Sequence, residues 1–328
     1  MPKKFLVIQT ASIGDVILAT PVIEKLHLFY PDSQIDILIR KGNQDLFTNH
    51  PFIHEVITWN KKTRKKRNFL WTLYDIRKNR YDAVINIQRF LSTGILTAFS
   101  GAKIRTGFSK NPLSLFFTVR IRHQINDGVH EIDRNLRLIE NLTDSARVRP
   151  KLYPSQKDIS KINGYKSQVY YTVSPGSIWF TKKFPLQKWI EFISRIPRDS
   201  GILFLGSKED HEMCDKIIMN SGHKNSINLS GHLSFLESAA IMQNAKMNFT
   251  SDSAPMHLAS AVNAPVAAIF CSTIPAFGFG PLSDDSHVVE VKKKLSCRPC
   301  GLHGLKSCPK GHFKCAYDID VSQLMEHL

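Results

Sequence analysis

Phe5, Leu6, Val7 and Ile8 are four consecutive hydrophobic residues with no polar alternation. A short unbroken run of this kind is what a parallel strand covered on both faces requires. A polar turn over 10–14 follows, and from Val16 to Phe29 the apolar residues recur at helical spacing until Pro31 prevents continuation. The same alternation continues, predicting strands over 34–39, 55–59, 81–87 and 103–108 and helices over 45–49, 68–79, 90–99 and 130–142. Residues 143–166 lose the periodicity, carry Pro150 and Pro154, and read as a linker. The pattern then restarts. Strands are predicted over 169–173, 202–205, 227–229, 247–250, 266–270 and 288–291, and helices over 186–196, 210–220, 233–244 and 255–262. Strands alternating with helices predict an α/β chain built on parallel sheets with helices on both faces. Two such series predict two doubly wound domains, 1–150 and 151–328, with a cleft between them, and the chain is long enough to give each its own core.

Charge narrows the partners. Forty-four Lys and Arg against 28 Asp and Glu leave a net +16 and a pI near 9.6, which points to something anionic: nucleic acid, a phosphorylated small molecule or a membrane surface. No apolar run reaches transmembrane length and the N-terminus lacks the apolar core of a secretory signal, so a cytoplasmic protein is expected. In that reducing setting six cysteines imply thiols or metal ligands before disulfides. The densest basic run, KKTRKKR over 61–67, reads either as a solvated loop or as a phosphate-binding arm at the cleft. Trp59, Phe69 and Trp71 beside it fit base stacking, but Trp71, Leu73, Tyr74 and Ile76 also suit a helix packed on the sheet. No nucleic-acid motif accompanies them, and nucleic acid is not an expected partner.

Three loops carry candidate chemistry. Asp15 stands where the first helix begins: there it is either a cap favoured by the helix dipole or a catalytic base, and the two roles are compatible. After the strand over 169–173 comes SPGSIWFTKKFP, in which Gly176 and Ser177 suit an anion and Lys182 or Lys183 is either a surface charge or the partner of a diphosphate. After the strand over 247–250 comes SDSAPMH, where Ser251, Asp252 and Ser253 cap a helix and His257 falls in its first turn. Near the C-terminus Cys297, Cys300, Cys308 and Cys315 offer a metal site whose first pair has ligand spacing, against the alternative of reduced packing cysteines; Cys214 and Cys271 fit a core.

The ordered motifs IGD (13–15), HEIDRNLRLIENL (130–142), PGSxWxTKxxP (175–185) and SDSAPMHLASAVNAP (251–265) resemble the bacterial heptosyltransferases of glycosyltransferase family 9 over nearly the whole chain. The resemblance implies a GT-B architecture of two Rossmann-like domains facing across a cleft, the first binding acceptor and the second an ADP-sugar. It implies inverting, metal-independent transfer of heptose from ADP-heptose to the lipopolysaccharide inner core, either Kdo-lipid A or an already heptosylated core. Carried over by position, Asp15 is the general base and Lys182 stabilises the departing ADP. Ser177, Ser253, Ala254 and His257 meet the donor phosphates, Asp252 the sugar hydroxyls, and Leu233 borders the adenine. Gly14, Arg64, Lys65 and Arg134 are the expected acceptor contacts. Related proteins carry C-terminal cysteine clusters, so structural zinc or iron at Cys297, Cys300, Cys308 and Cys315 is a further expectation. Ala254 stands where many relatives have glycine, which questions the phosphate geometry there. The basic surface is expected to hold the acidic acceptor and to bring the enzyme to the anionic inner face of the inner membrane. Two rival readings are a GT-B transferase using another sugar nucleotide or a protein acceptor, and a non-enzymatic basic binding protein.

Overall fold

The computed structural model describes residues 3–61, 63–125, 128–165 and 169–328; Lys62 of the basic run and Lys166 at the end of the expected linker lie outside them. The chain divides into two compact units, Met1–Tyr153 and Pro154–Leu328.

The first unit holds a six-stranded sheet of β1 (Lys4–Gln9), β2 (Gln34–Arg40), β3 (Glu55–Trp59), β4 (Ala83–Asn86), β5 (Ile104–Phe108) and β6 (Val119–Ile121), in the order β3-β2-β1-β4-β5-β6 with every pairing parallel. β1 is central, and Phe5, Leu6, Val7 and Ile8 are all buried, as a strand covered on both faces demands. The short β6, whose Arg120 is exposed, was not visible in the apolar pattern because only its edge pairing with β5 makes it a strand.

The single helix expected over 16–29 is two, Ile13–Ile17 and Thr20–Phe29. Pro21 explains the break: it has no N–H to give the Ile17 carbonyl, and the Thr20 hydroxyl donates to that carbonyl instead at 2.8 Å. The helix Lys65–Asn79 turns Phe69, Thr72, Leu73 and Ile76 inward at helical spacing, next to Trp59, Tyr81 and Leu96. Trp71 and Tyr74, which suited the same packing in sequence, are instead exposed.

The second unit repeats the plan with β7 (Tyr170–Ser174), β8 (Gly201–Phe204), β9 (Ser226–Asn228), β10 (Met247–Ser251), β11 (Val266–Phe270) and β12 (Ser286–Glu290), in the order β12-β11-β10-β7-β8-β9, again all parallel. Renumbered within each unit, the two orders are the same, 3-2-1-4-5-6, the doubly wound arrangement with a switch point between its first and fourth strands. Trp189, Phe192, Phe204 and Phe249 fill the core, which Ala316, Ile319, Val321 and Leu324 of the C-terminal segment complete.

The expected linker is more structured than its composition suggested. Its first part is pinned to the helix Thr20–Phe29: Lys25 Nζ donates to the carbonyls of Asp144 and Ala146, and Tyr153 to Glu24. Its second part forms the helix Gln156–Ile162, started by a reciprocal cap between Ser155 and Asp158. Among the described residues no helix is long and apolar enough to cross a membrane.

Candidate active site

In open α/β sheets ligands bind beyond the carboxyl ends of the strands at the switch point. In the first unit that place lies between β1 and β4. Thr10 Oγ1, just past β1, donates to Gln88 Oε1, just past β4, at 2.5 Å. Lys61 Nζ donates to the same Thr10 Oγ1 at 2.7 Å, and burial together with the nearby Arg40 charge lowers the pKa of this amine. Lys61 is therefore the member of the basic run that reaches the strand ends. Arg64 and Lys65, the expected acceptor contacts, are exposed where the helix Lys65–Asn79 begins.

Asp15 lies in the first turn of the helix Ile13–Ile17, half-buried, beside the buried Gly14. Its Oδ2 accepts from the Ser12 N–H at 3.2 Å and from the Ser12 hydroxyl, while Oδ1 takes no part in the cap. Capping thus accounts for one oxygen and leaves the other for chemistry. The Asp15 charge also reaches Glu131, whose carboxyl is raised above the usual range chiefly by burial, with Asp15 adding to the rise and Arg134 and Arg89 opposing it.

Arg134, an expected acceptor contact, is enclosed by its own unit. It is 1% exposed, its Nε donating to Glu131 Oε2 at 2.8 Å and its Nη1 to the Val129 carbonyl at 2.5 Å. A guanidinium so engaged holds Glu131 in place. Arg89 and Glu131 were not singled out in the sequence, and Lys61 was noted only as part of the basic run. Arg89 and Lys61 each follow a strand end by a few residues, which is the signal that would have found them.

In the second unit the switch point lies between β7 and β10, and two of the expected loops meet there. Ser251 Oγ donates to the Pro175 carbonyl and Ser253 Oγ to the Gly176 carbonyl, each at 3.1 Å. Asp252 Oδ2 lies 2.8 Å from Lys182 Nζ and accepts from Thr273 Oγ1 at 2.5 Å. Lys182 is thereby fixed as a single mostly buried cation beside the start of the helix Ala254–Ala261. Such a helix start and a fixed cation together favour an anion. Pro255 stands in the first turn and His257 is buried in it. Ala254 has no positive φ, so its Cβ is unstrained and glycine is not needed at that position. Ser177 is half-buried in the loop that carries Lys182, its Oγ accepting from the Trp179 N–H at 3.4 Å. Leu233 is half-buried past β9, two strands from the switch, just before Ser234 and Glu237 cap the next helix. Thr273, three residues beyond β11, is a further strand-end residue that the sequence reading did not single out.

The loop geometry explains Gly176. A Cβ there would run into the Asp210 carboxylate, which is held by the Ser207 N–H at 2.9 Å and the Ser207 hydroxyl at 2.8 Å. Gly304, at φ +78°, likewise lets its strand of the cysteine-bearing segment lie on Lys182 and Trp179. Thr181 ties the same segment down, its N–H donating to the Leu305 carbonyl at 3.1 Å and its hydroxyl accepting from the Leu305 N–H at 2.7 Å.

The cysteines themselves bear on a further expectation. Among the described residues no group of three or more His, Cys, Asp or Glu side chains is arranged to hold a metal, so the zinc or iron site expected at Cys297, Cys300, Cys308 and Cys315 finds no support there. Cys300 Sγ turns to the Cys297 carbonyl at 3.2 Å, Cys297 faces His312, and Cys315 is packed in the core with its thiol pushed up to about 12, mainly by burial. All six cysteines are free thiols.

Two doubly wound parallel units of identical strand order make a GT-B architecture. The chain belongs to glycosyltransferase family 9 (heptosyltransferase), whose sequence profile matches residues 73–304. It is 26% identical over 275 residues to lipopolysaccharide heptosyltransferase 3 of Escherichia coli, covering 79% of this chain and 81% of that one. In fold it is similar to the glycosyl transferase family 9 structure from Veillonella parvula, with a TM-score of 0.86 at 23% identity, covering 99% of this chain and 96% of the other. It is also similar to E. coli ADP-heptose lps heptosyltransferase II, with a TM-score of 0.78 at 20% identity and coverage of 99% and 97%.

Proposed function

We propose that this glycosyltransferase moves heptose from ADP-L-glycero-D-manno-heptose to the lipopolysaccharide inner core, either Kdo-lipid A or a core already bearing heptose. The observation that carries the reading is the Lys182–Asp252 pair, 2.8 Å apart at the switch point of the second unit and beside a helix start. In this reading the pair holds Lys182 where the charge of a diphosphate would grow as the sugar leaves. The names of the relatives, a lipopolysaccharide heptosyltransferase and an ADP-heptose enzyme, support the substrate pair.

In this proposal residues 1–150 serve the acceptor and residues 151–328 the donor. The acceptor hydroxyl oxygen forms a bond to the anomeric carbon while its proton passes to Asp15, through the Oδ1 that the cap leaves out. The bond from the anomeric carbon to the β-phosphate oxygen breaks, its electron pair goes to ADP, and the configuration inverts. Lys182 meets the added charge, with Ser177, Ser253, the Ala254 backbone and His257 around the phosphates. Asp252 receives sugar hydroxyls on Oδ1, since Oδ2 is occupied by Lys182 and Thr273. Leu233 borders the adenine. Gly14 lets the acceptor approach, with Arg64 and Lys65 beside its acidic groups and Arg134 acting through Glu131. No step is routed through a metal. The reaction takes place in the cytoplasm, at the inner face of the inner membrane.

Asp15→Ala tests the assignment. Affinity for ADP is expected to stay within about twofold of the native chain while turnover falls by about 10²- to 10⁴-fold, the usual contribution of a positioned base. Unchanged turnover refutes the base.

A further inference from the structure

The first unit carries an exposed apolar face that the catalytic reading leaves unused. Leu70, Trp71, Tyr74, Phe90, Leu91, Phe99, Leu115 and Phe116 are large hydrophobic residues between 49% and 80% exposed. They adjoin one another through the structure. Trp71 and Tyr74 meet edge to face at 6.0 Å, Arg77 of the same helix donates to the Phe99 carbonyl at 2.9 Å, and the rings of Phe99 and Phe116 lie 6.4 Å apart. The helix Lys65–Asn79, the helix Leu91–Ala98 and the turn Ser114–Phe116 therefore present one surface. Soluble proteins scatter single hydrophobic residues, but a contiguous set of this size marks an interaction surface.

Its charge identifies the partner. Residues 61–122 hold fifteen Lys and Arg against two Asp, so this segment supplies +13 of the chain's +16. Lys66, Arg67, Arg77 and Lys78 are exposed on the outward side of the helix that bears Leu70, Trp71 and Tyr74. Aromatic and aliphatic side chains ringed by lysine and arginine match the boundary of an anionic bilayer. There the rings and leucines enter the headgroup region while the cations stay with the lipid phosphates. We infer that this face docks the enzyme on the anionic membrane surface. The inference deepens the proposed function, on which it rests only in that the acceptor is lipid-anchored. Docking itself is measurable without turnover.

Flotation of the full chain with vesicles of mixed phosphatidylcholine and phosphatidylglycerol, and of phosphatidylcholine alone, tests the face. The native chain is expected to float with the anionic vesicles and not with the neutral ones. Lys66→Gln with Arg67→Gln is expected to lower partitioning about fivefold for each charge removed, and Trp71→Ser with Leu91→Ser by at least about tenfold. On the native chain, anionic vesicles are expected to shift the indole emission to the blue, a shift that Trp71→Phe abolishes. A native chain that fails to float, or variants that float as it does, overturns the inference. So does a native dimer that these variants break without any vesicle binding, since the face then belongs to a second copy. Transfer to an acceptor stripped of its acyl chains is expected to be unchanged in Trp71→Ser with Leu91→Ser. A chain that docks but transfers no heptose leaves the face standing and refutes the function instead.

Discussion

At the residue scale the two switch points are built differently. In the second unit a cation and a carboxylate are fixed directly on each other, Lys182 on Asp252, with Thr273 behind them. In the first, Asp15 is held by its own helix cap and underlain by a buried acid, Glu131, whose pKa is raised mainly because burial disfavours its charge. A carboxyl raised in the folded state keeps its proton to higher pH than in the unfolded chain. The contribution of Glu131 to stability is therefore fully present below the ordinary glutamate range and is lost as pH rises through the raised value. Denaturant unfolding at a series of pH values above 4.5 is expected to show that decline in the native chain and to lose it in Glu131→Gln. Equal profiles for the two refute the role given to Glu131. Asp15, Lys182 and Asp252 were legible in sequence because each sits in a short motif at a strand end. Glu131 was not legible, although it lies inside the HEIDRN stretch, because burial and the partner across a turn decide what a carboxylate does. The partners of Arg134 were hidden for the same reason: composition records a cation and says nothing of its being engaged by Glu131 and Val129.

Among the elements, the strands were the most legible, since a parallel strand covered on both faces is an unbroken apolar run. Helix ends were less so. The break at Pro21 follows from a missing N–H that the apolar spacing does not register, and the helix Gln156–Ile162 is announced by Ser155 and Asp158 in a stretch whose weak periodicity concealed it. The helix Lys65–Asn79 has enough apolar residues for two faces, and only tertiary packing selects Phe69, Thr72, Leu73 and Ile76 as the inner one. Loop-to-loop packing was not legible at all. Gly176 looked like an anion contact in sequence, whereas its lack of a Cβ admits the Asp210 side chain from the loop after β8. Gly176→Ala is expected to destabilise the chain by about 1–3 kcal/mol through overpacking of that contact. Combining it with Asp210→Ala is expected to cost less than the sum of the single changes. Thermal or denaturant unfolding of the four proteins measures this, and strict additivity contradicts the contact.

For the whole molecule, two units of one strand order were foreseeable from the restart of the alternation, and the boundary at Tyr153 and Pro154 falls within the segment that lacks strong periodicity. The net charge and its concentration in residues 61–122 were equally plain, but that Lys66, Arg67, Arg77 and Lys78 share a helix surface with exposed aromatic residues emerges only when the helices are placed. Membership of glycosyltransferase family 9 gives the class of reaction, while the sugar and its acceptor remain the content of the proposal. They are tested together by incubating the full chain with ADP-heptose and two acceptors, Kdo-lipid A and Kdo-lipid A already carrying one heptose, and weighing the products by mass spectrometry. The account predicts one added heptose on one of the two acceptors, with ADP released in equal amount. ADP-heptose left intact with both acceptors, while a UDP- or GDP-sugar is consumed instead, contradicts it.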